Sequence, residues 1–187
     1  NNLSAGAYNC TIIDSNGCSF VTPVTILESS DISVTSSRTN ITCFGEIDGT
    51  ATVFPNGGEP FSQGEPYLYS WDDSLGQTTQ TAINLSAGTY TCTISDSLGC
   101  NVSYAVTIYE PPMISSLISQ TNISCYGLVD GTATVTPSGG RPFTQGQPYT
   151  YLWNDLLAQT TQTAVDLSAG IYTCTITDSS GCFYIQD

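Results

Sequence analysis

The sequence predicts an all-β chain of tandem immunoglobulin-like, or PKD-like, β-sandwich repeats with a period of 82 residues. The first reason is repetition. The segment Leu-Ser-Ala-Gly-x-Tyr-x-Cys-Thr-Ile-x-Asp-Ser-x-Gly-Cys ends at Cys18, Cys100 and Cys182, and both 100 − 18 and 182 − 100 equal 82. The second is patterning: β-branched and aromatic residues alternate in short runs bounded by Gly, Asn, Asp and Pro, and no segment keeps a capped helical period. The third is the order of Trp71 followed by Tyr90-x-Cys92, which places a tryptophan on the third strand and a tyrosine corner before the sixth.

Within one period, strands are expected near Ile32 to Ser36, Thr50 to Phe54, Tyr67 to Trp71, Gln80 to Asn84, Thr89 to Ser95 and Val102 to Tyr109. Short antiparallel strands of this number suit a two-sheet sandwich better than a closed barrel. A unit of 82 residues is large enough to close its own core, unlike a solenoid repeat, so each period reads as a separate bead. The chain then divides into the C-terminal part of a preceding repeat (1–30), a complete repeat (31–112) and a second, nearly complete one (113–187). The seams fall at Leu27 to Ser30 and Tyr109 to Pro112, where strand-like runs give way to residues that end pairing.

Composition removes several function classes. Sixteen acidic residues against Arg38 and Arg141 give a net charge of −14, which repels nucleic acid and anionic membrane. With no histidine and no lysine, the usual general base, Schiff-base amine and imidazole ligand are missing, and the chain is not expected to be an enzyme. Lys–Asn isopeptide crosslinks are excluded too, so any covalent bracing must come from cysteine. No apolar run approaches the ~18 residues that span a bilayer, so no membrane insertion is expected in this segment.

Eight cysteines without metal-site spacing point to an oxidising compartment outside the cell. A four-residue turn at Asp96 to Gly99 would set Cys92 opposite Ser103, about 10 Å from Cys100 and beyond the ~7 Å reach of a disulfide. The expected bridges are therefore Cys43 with Cys100 and Cys125 with Cys182, leaving Cys10, Cys92 and Cys174 as buried thiols that act as small hydrophobes. Each bridge would close a loop of 100 − 43 = 57 residues, contributing about 4 kcal/mol. A bulge in the hairpin would change the parity and allow Cys92 with Cys100 instead.

At these residues the chain resembles the SprB-type repeat of very large surface adhesins in gliding Bacteroidota. The matching features are Cys-aromatic-Gly-x-x-Asp-Gly-Thr-Ala-Thr-Val at Cys43 and Cys125, and Gly-Gly followed by Pro-Tyr-x-Tyr-x-Trp ending at Trp71 and Trp153. Leu-Ser-Ala-Gly-x-Tyr before Asp-Ser-x-Gly-Cys completes the set. The resemblance implies adhesion at a bacterial cell surface through long arrays exported by the type IX secretion system, serving gliding or surface filaments. The stretch Glu59 to Pro66 is longer than the short link expected there, and Cys92 stands where a core valine is usual.

The remaining candidates are modest. Asp14, Asp96 and Asp178, Asp48 and Asp130, and Asp73 and Asp155 recur at equivalent positions, which suits calcium, although Asp-Gly and Asp-Ser-x-Gly are also ordinary turn formers. No cofactor is otherwise expected. Ser74 and Ser97, in Asp-Ser-Leu triplets, resemble acceptors for Bacteroidota O-glycosylation. The loops Pro60 to Pro66 and Pro142 to Pro148 carry Phe61 and Phe143, aromatic residues suited to contacting a sugar or a neighbouring bead. Expected partners are neighbouring repeats of the same chain, surface polysaccharide, or other copies in a filament.

Overall fold

The computed structural model describes residues 2–187, and among them there is strand, turn and loop but no helix. No helix is therefore long and apolar enough to cross a membrane. The first sandwich is built from β3 (Ser33–Thr39), β4 (Gly49–Asn56), β5 (Leu68–Trp71), β6 (Thr81–Leu85), β7 (Gly88–Ser95) and β8 (Asn101–Ile108). One sheet has the order β3-β4-β6 and the other β5-β7-β8, all antiparallel. In immunoglobulin lettering, with strand D missing, these are the A-B-E and C-F-G sheets of an immunoglobulin-like sandwich. The second sandwich repeats the order with β9 (Ser115–Thr121), β10 (Gly131–Ser138), β11 (Thr150–Trp153), β12 (Thr163–Leu167), β13 (Cys174–Thr177) and β14 (Phe183–Gln186). Ahead of both lies a hairpin of β1 (Gly6–Ile13) and β2 (Ser19–Ile26), one period before β7 and β8.

The alternation of each strand decides what is inside. Ala51 and Val53 of β4 point inward with Tyr69 and Trp71 of β5, Ala82 and Leu85 of β6, Cys92 and Ile94 of β7 and Val106 and Ile108 of β8. The second core repeats most of these positions one period on, with Val135, Trp153, Cys174 and Ile176 fully or almost fully buried, and adds Ile114 and Cys182. Trp71 anchors the first core and donates its indole N–H to Thr79 O at 2.9 Å, and Trp153 does the same to Thr161 O. Tyr90 forms the expected corner, its hydroxyl donating to Ser86 O four residues upstream, as Tyr8 and Tyr172 do to Ser4 and Ser168.

Gly49 shows why a glycine follows the recurrent aspartate of the Asp-Gly-Thr-Ala-Thr-Val run. A Cβ there would lie 2.7 Å from Ile108 Cγ2 and 2.8 Å from Leu85 O, so only a hydrogen fits where β4, β6 and β8 converge. The register shifts between Gly49 and Ala51, and Asn84 on the facing strand takes a left-handed backbone at φ 54°. Asp166 repeats this at φ 53°.

The hairpin at the head of the chain differs from its copies. Cys10 was expected to be a buried thiol, but it is exposed, as is Ile12. β1 and β2 pair only with each other among the described residues, so no second sheet covers the face that Cys92 and Ile94 bury one period later.

Candidate functional site

The joint between the two sandwiches concentrates the chemistry that the strands leave over. Cys43 lies just past the end of β3, beside the C-terminal end of β8, because Ile41 N–H donates to Tyr109 O and Tyr109 N–H donates to Asn40 Oδ1. Glu110 then reaches back to accept the Gly45 N–H at 3.0 Å, and the Arg38 guanidinium stacks over the Tyr109 ring at 4.8 Å. On the far side of the seam, Gly140 N–H donates to Pro112 O at 2.8 Å. The linker is thus fastened to the sandwich before it and to the sandwich after it.

The bridge across this joint is Cys43–Cys182, with a Cα–Cα distance of 5.6 Å and a sequence separation of 139. It is not the expected pairing of Cys43 with Cys100 and of Cys125 with Cys182. Cys43 sits at one end of β8 and Cys100 at the other, separated by eight residues of extended strand, roughly 25 Å and far beyond disulfide reach. Cys182 is the copy of Cys100 one period later, and 139 − 57 = 82. The cysteine types pair as expected, but across neighbouring sandwiches. Cys100 and Cys125 are exposed free thiols.

Two further contacts close the joint. Arg141 Nη2 donates to Ile41 O at 2.7 Å, and Cys43 packs against the core of the second sandwich. Around them Phe44, Pro111, Met113, Ile114 and Tyr184 border a small, mainly apolar cavity of about 240 Å³. Sequence reasoning passed over Arg141 and Glu110. The signal for Arg141 was its rarity, being one of only two basic residues in the chain.

Cys92 and Cys174 are fully buried, and burial pushes both thiols up to about 11. Cys92 lies directly opposite Trp71 on the neighbouring strand, where an immunoglobulin bridge would pack on tryptophan. The hairpin loop runs Asp96 to Cys100, five residues, so Cys92 pairs with Tyr104 instead of Ser103.

The recurrent aspartates are engaged in their own turns. Asp96 Oδ1 accepts Leu98 N–H and Cys100 N–H, while Oδ2 accepts Glu59 N–H at 3.0 Å. The Glu59 amide, with those of Cys100 and Leu98, holds the Asp96 carboxyl below the usual carboxylate range. Hydrogen bonds from Thr42 lower Asp48, those from Ser124 lower Asp130, and those from Gln159 lower Asp155. Among the described residues, no three Asp, Glu or Cys side chains converge as a metal cage would require.

Ser74 and Ser97 are both exposed, but the Ser97 hydroxyl donates to Glu59 O at 2.8 Å and so fastens the loop beneath it. The loops carrying Phe61 and Phe143 are closed by Phe61 N–H to Pro66 O and Phe143 N–H to Pro148 O. Phe61 is half-buried and Phe143 slightly more open. A second cavity, of about 510 Å³, lies beside Gly131, Leu167 and Ile123. Its counterpart in the first sandwich, at Gly49, Leu85 and Ile41, is filled by Ile108.

The SprB repeat model matches residues 35–76 and again 117–158, a displacement of 117 − 35 = 82 residues. The chain carries the SprB repeat at both positions. Each match begins in the first strand of a sandwich and runs through the turn after its tryptophan, so it spans Cys43 and Trp71 in one copy and Cys125 and Trp153 in the other. No curated protein matches the chain. A solved structure described as "Structural basis for Dscam isoform specificity" is similar at 11% identity with a TM-score of 0.31, covering 94% of this chain and 51% of that one. The present chain therefore spans about half the length of that chain. The strand order of each SprB sandwich, A-B-E on C-F-G, independently identifies its fold as immunoglobulin-like.

Proposed function

We propose that this segment is a structural and adhesive stalk of a long secreted bacterial surface protein, in which SprB sandwiches supply reach and cross-joint disulfides supply toughness. The observation that carries it is Cys43–Cys182. A bond between sandwiches fixes their spacing and resists pulling, in addition to closing a loop of 139 residues. Placement outside the cell is supported by the same bond, since such bridges persist in oxidising compartments. With two arginines and no lysine, the chain also offers trypsin-like proteases almost nothing to cut.

No reaction is assigned to the stalk. The carboxylates that recur are spent on backbone amides, and there is no histidine or lysine to move protons. Its partners are proposed to be neighbouring repeats and the polysaccharide or substratum the cell meets, in gliding or in static attachment.

Beads coated with the oxidised chain should be retained on glass or polysaccharide under flow, and electron micrographs should show short stiff rods. Retention no better than that of albumin-coated beads would refute the adhesive part. Saturable binding to one glycan by the chain, without surface retention, would replace the stalk with an array of carbohydrate-binding modules.

A further inference from the structure

We infer that Cys100 and Cys125 are the two open halves of the clamp that Cys43 and Cys182 complete, and that each takes a further SprB repeat through the same joint. This rests on the cross-joint bond and is independent of whether the surface is adhesive. Cys125 stands one period after Cys43, and Cys100 one period before Cys182. Both are exposed, while Cys182 is 8% exposed, the difference being the neighbour that covers it.

The surroundings of the open half match those of the closed one. Tyr126 occupies the place of Phe44, which borders the seam cavity, and its side chain is fully exposed where Phe44, with the neighbouring sandwich in place, is 52% exposed. The occupant that fits is a repeat presenting its own Asp-Ser-x-Gly-Cys turn, because that turn is what Cys43 meets at Cys182. The upstream joint differs at several positions: Ser29, Ser30 and Asp31 stand where Pro111, Pro112 and Met113 line the seam, and Asn101 and Val102 stand where Phe183 and Tyr184 do, so it is the more polar of the two. Glu59 stands where Arg141 does, and a carboxylate has no hydrogen to give a backbone carbonyl, so the clamp at Cys100 lacks the contact that Arg141 makes with Ile41.

The chemistry is disulfide formation with an external oxidant of the small-molecule disulfide class. Two thiols lose two protons and two electrons to form one S–S bond, and the oxidant's own S–S bond is cleaved to two thiols.

Connectivity then dictates mechanics. After Cys182 the next cysteine of the Cys43 type would come 25 residues on, as Cys125 follows Cys100 and Cys43 follows Cys18. Each covalent path would alternate a 25-residue stretch of backbone with one bond that skips 139 residues. A second path, offset by one repeat, would interleave with it. Every seam is then crossed twice, once by the backbone and once by a disulfide. The 25-residue stretch contains β8, the linker and β9, already extended, so little slack remains to be pulled out.

The test is a chain lengthened in register. A copy of residues 106–187 is appended after Asp187, and the protein is refolded with glutathione disulfide and mapped by unreduced peptide mass spectrometry. The inference predicts two bonds where the parent chain has one: Cys43–Cys182 retained, and Cys125 joined to the appended copy of Cys182. A second variant, with a copy of residues 1–82 placed before the first residue, should join Cys100 to the added copy of Cys43, and it keeps the test open should the first fail to fold. Cys125 and Cys100 remaining alkylatable in these lengthened chains would overturn the inference. Bonds of Cys43 with Cys100, or Cys125 found only in peptides linking two separate molecules, would overturn it equally.

Discussion

Asp96 offers the sharpest test of how these repeats hold themselves together. It is 2% exposed, and its carboxylate takes Leu98 N–H at 3.0 Å, Cys100 N–H at 2.9 Å and Glu59 N–H at 3.0 Å. One side chain therefore shapes the β7–β8 turn and ties it to the Gly-Gly loop that follows β4. Asp96→Ala orphans three amides in a site with little room for water. A single unsatisfied buried group costs about 1–3 kcal/mol, and partial relaxation of the turn brings the expected total to about 3 kcal/mol, a large share of the stability of a small domain. The control is Asp14→Ala, whose carboxylate makes the same turn contacts with Asn16 and Cys18 in the exposed leading hairpin, where water can replace them at a cost of roughly 0.5 kcal/mol or less. Urea unfolding of the two variants, followed by tryptophan fluorescence, gives the comparison. Equal midpoints for the two would refute the account of the turn. The amides that hold the Asp96 carboxyl below its ordinary value also set a pH dependence. The lowered folded value means that this stabilisation is present above the unfolded value, about 4, and is lost as pH falls through the folded one. The midpoint difference between parent and Asp96→Ala should therefore shrink below pH 4.

Other variants probe the joint and the cores. Cys182→Ser opens a loop of 139 residues and should lower stability by about 5 kcal/mol in the chain-entropy model, measured by urea unfolding without reductant; an unchanged midpoint would mean that the bond does not form. Arg141→Ala removes the hydrogen bond to Ile41 O, worth about 1.5–3 kcal/mol for a charged donor. Its effect on seam hydrogen exchange should be larger after reduction than before, and equal effects would count against a shared joint. Cys92→Val should stay within about 1.5 kcal/mol of the parent, as volume-conserving core swaps do. In the native chain, iodoacetamide should label Cys100 and Cys125 within minutes while sparing Cys92 and Cys174, whose burial raises them to about 11.

The sandwich was legible because its signals are local. Alternating runs marked the strand at Thr50 to Phe54, Trp71 marked the third strand, and the Leu-Ser-Ala-Gly-x-Tyr run marked the corner at Tyr90, each depending on neighbours a few residues away. The observed strands depart from the expected ones by at most three residues at any end, chiefly where β3 runs on to Thr39. The joint was not legible for a reason rooted in repetition. In a chain whose copies are nearly identical, Cys100 and Cys182 present the same local signature, so spacing within one copy cannot say which of them Cys43 meets. What decides it is the position of Cys43 at the far end of β8, which follows from the Ile41 to Tyr109 hydrogen bond and is a property of the folded pair. The parity of the β7–β8 hairpin was misjudged by one residue because Cys100 belongs to the turn and not to the strand. Cys10 shows the converse error: the pattern that buries Cys92 is present, but burial needs a second sheet, and none covers that face among the described residues.

The most direct measurement is to pull a single molecule from its two ends with and without reductant. Chain between Cys43 and Cys182, 139 residues apart, is shielded from tension while the bond is intact, and at ~3.4 Å per residue that hides roughly 470 Å of contour length. The oxidised molecule should extend only through residues outside the bridge, and dithiothreitol should add that length in the unfolding of the two sandwiches. Equal total extensions in the two conditions would contradict a stalk covalently clamped from one repeat to the next.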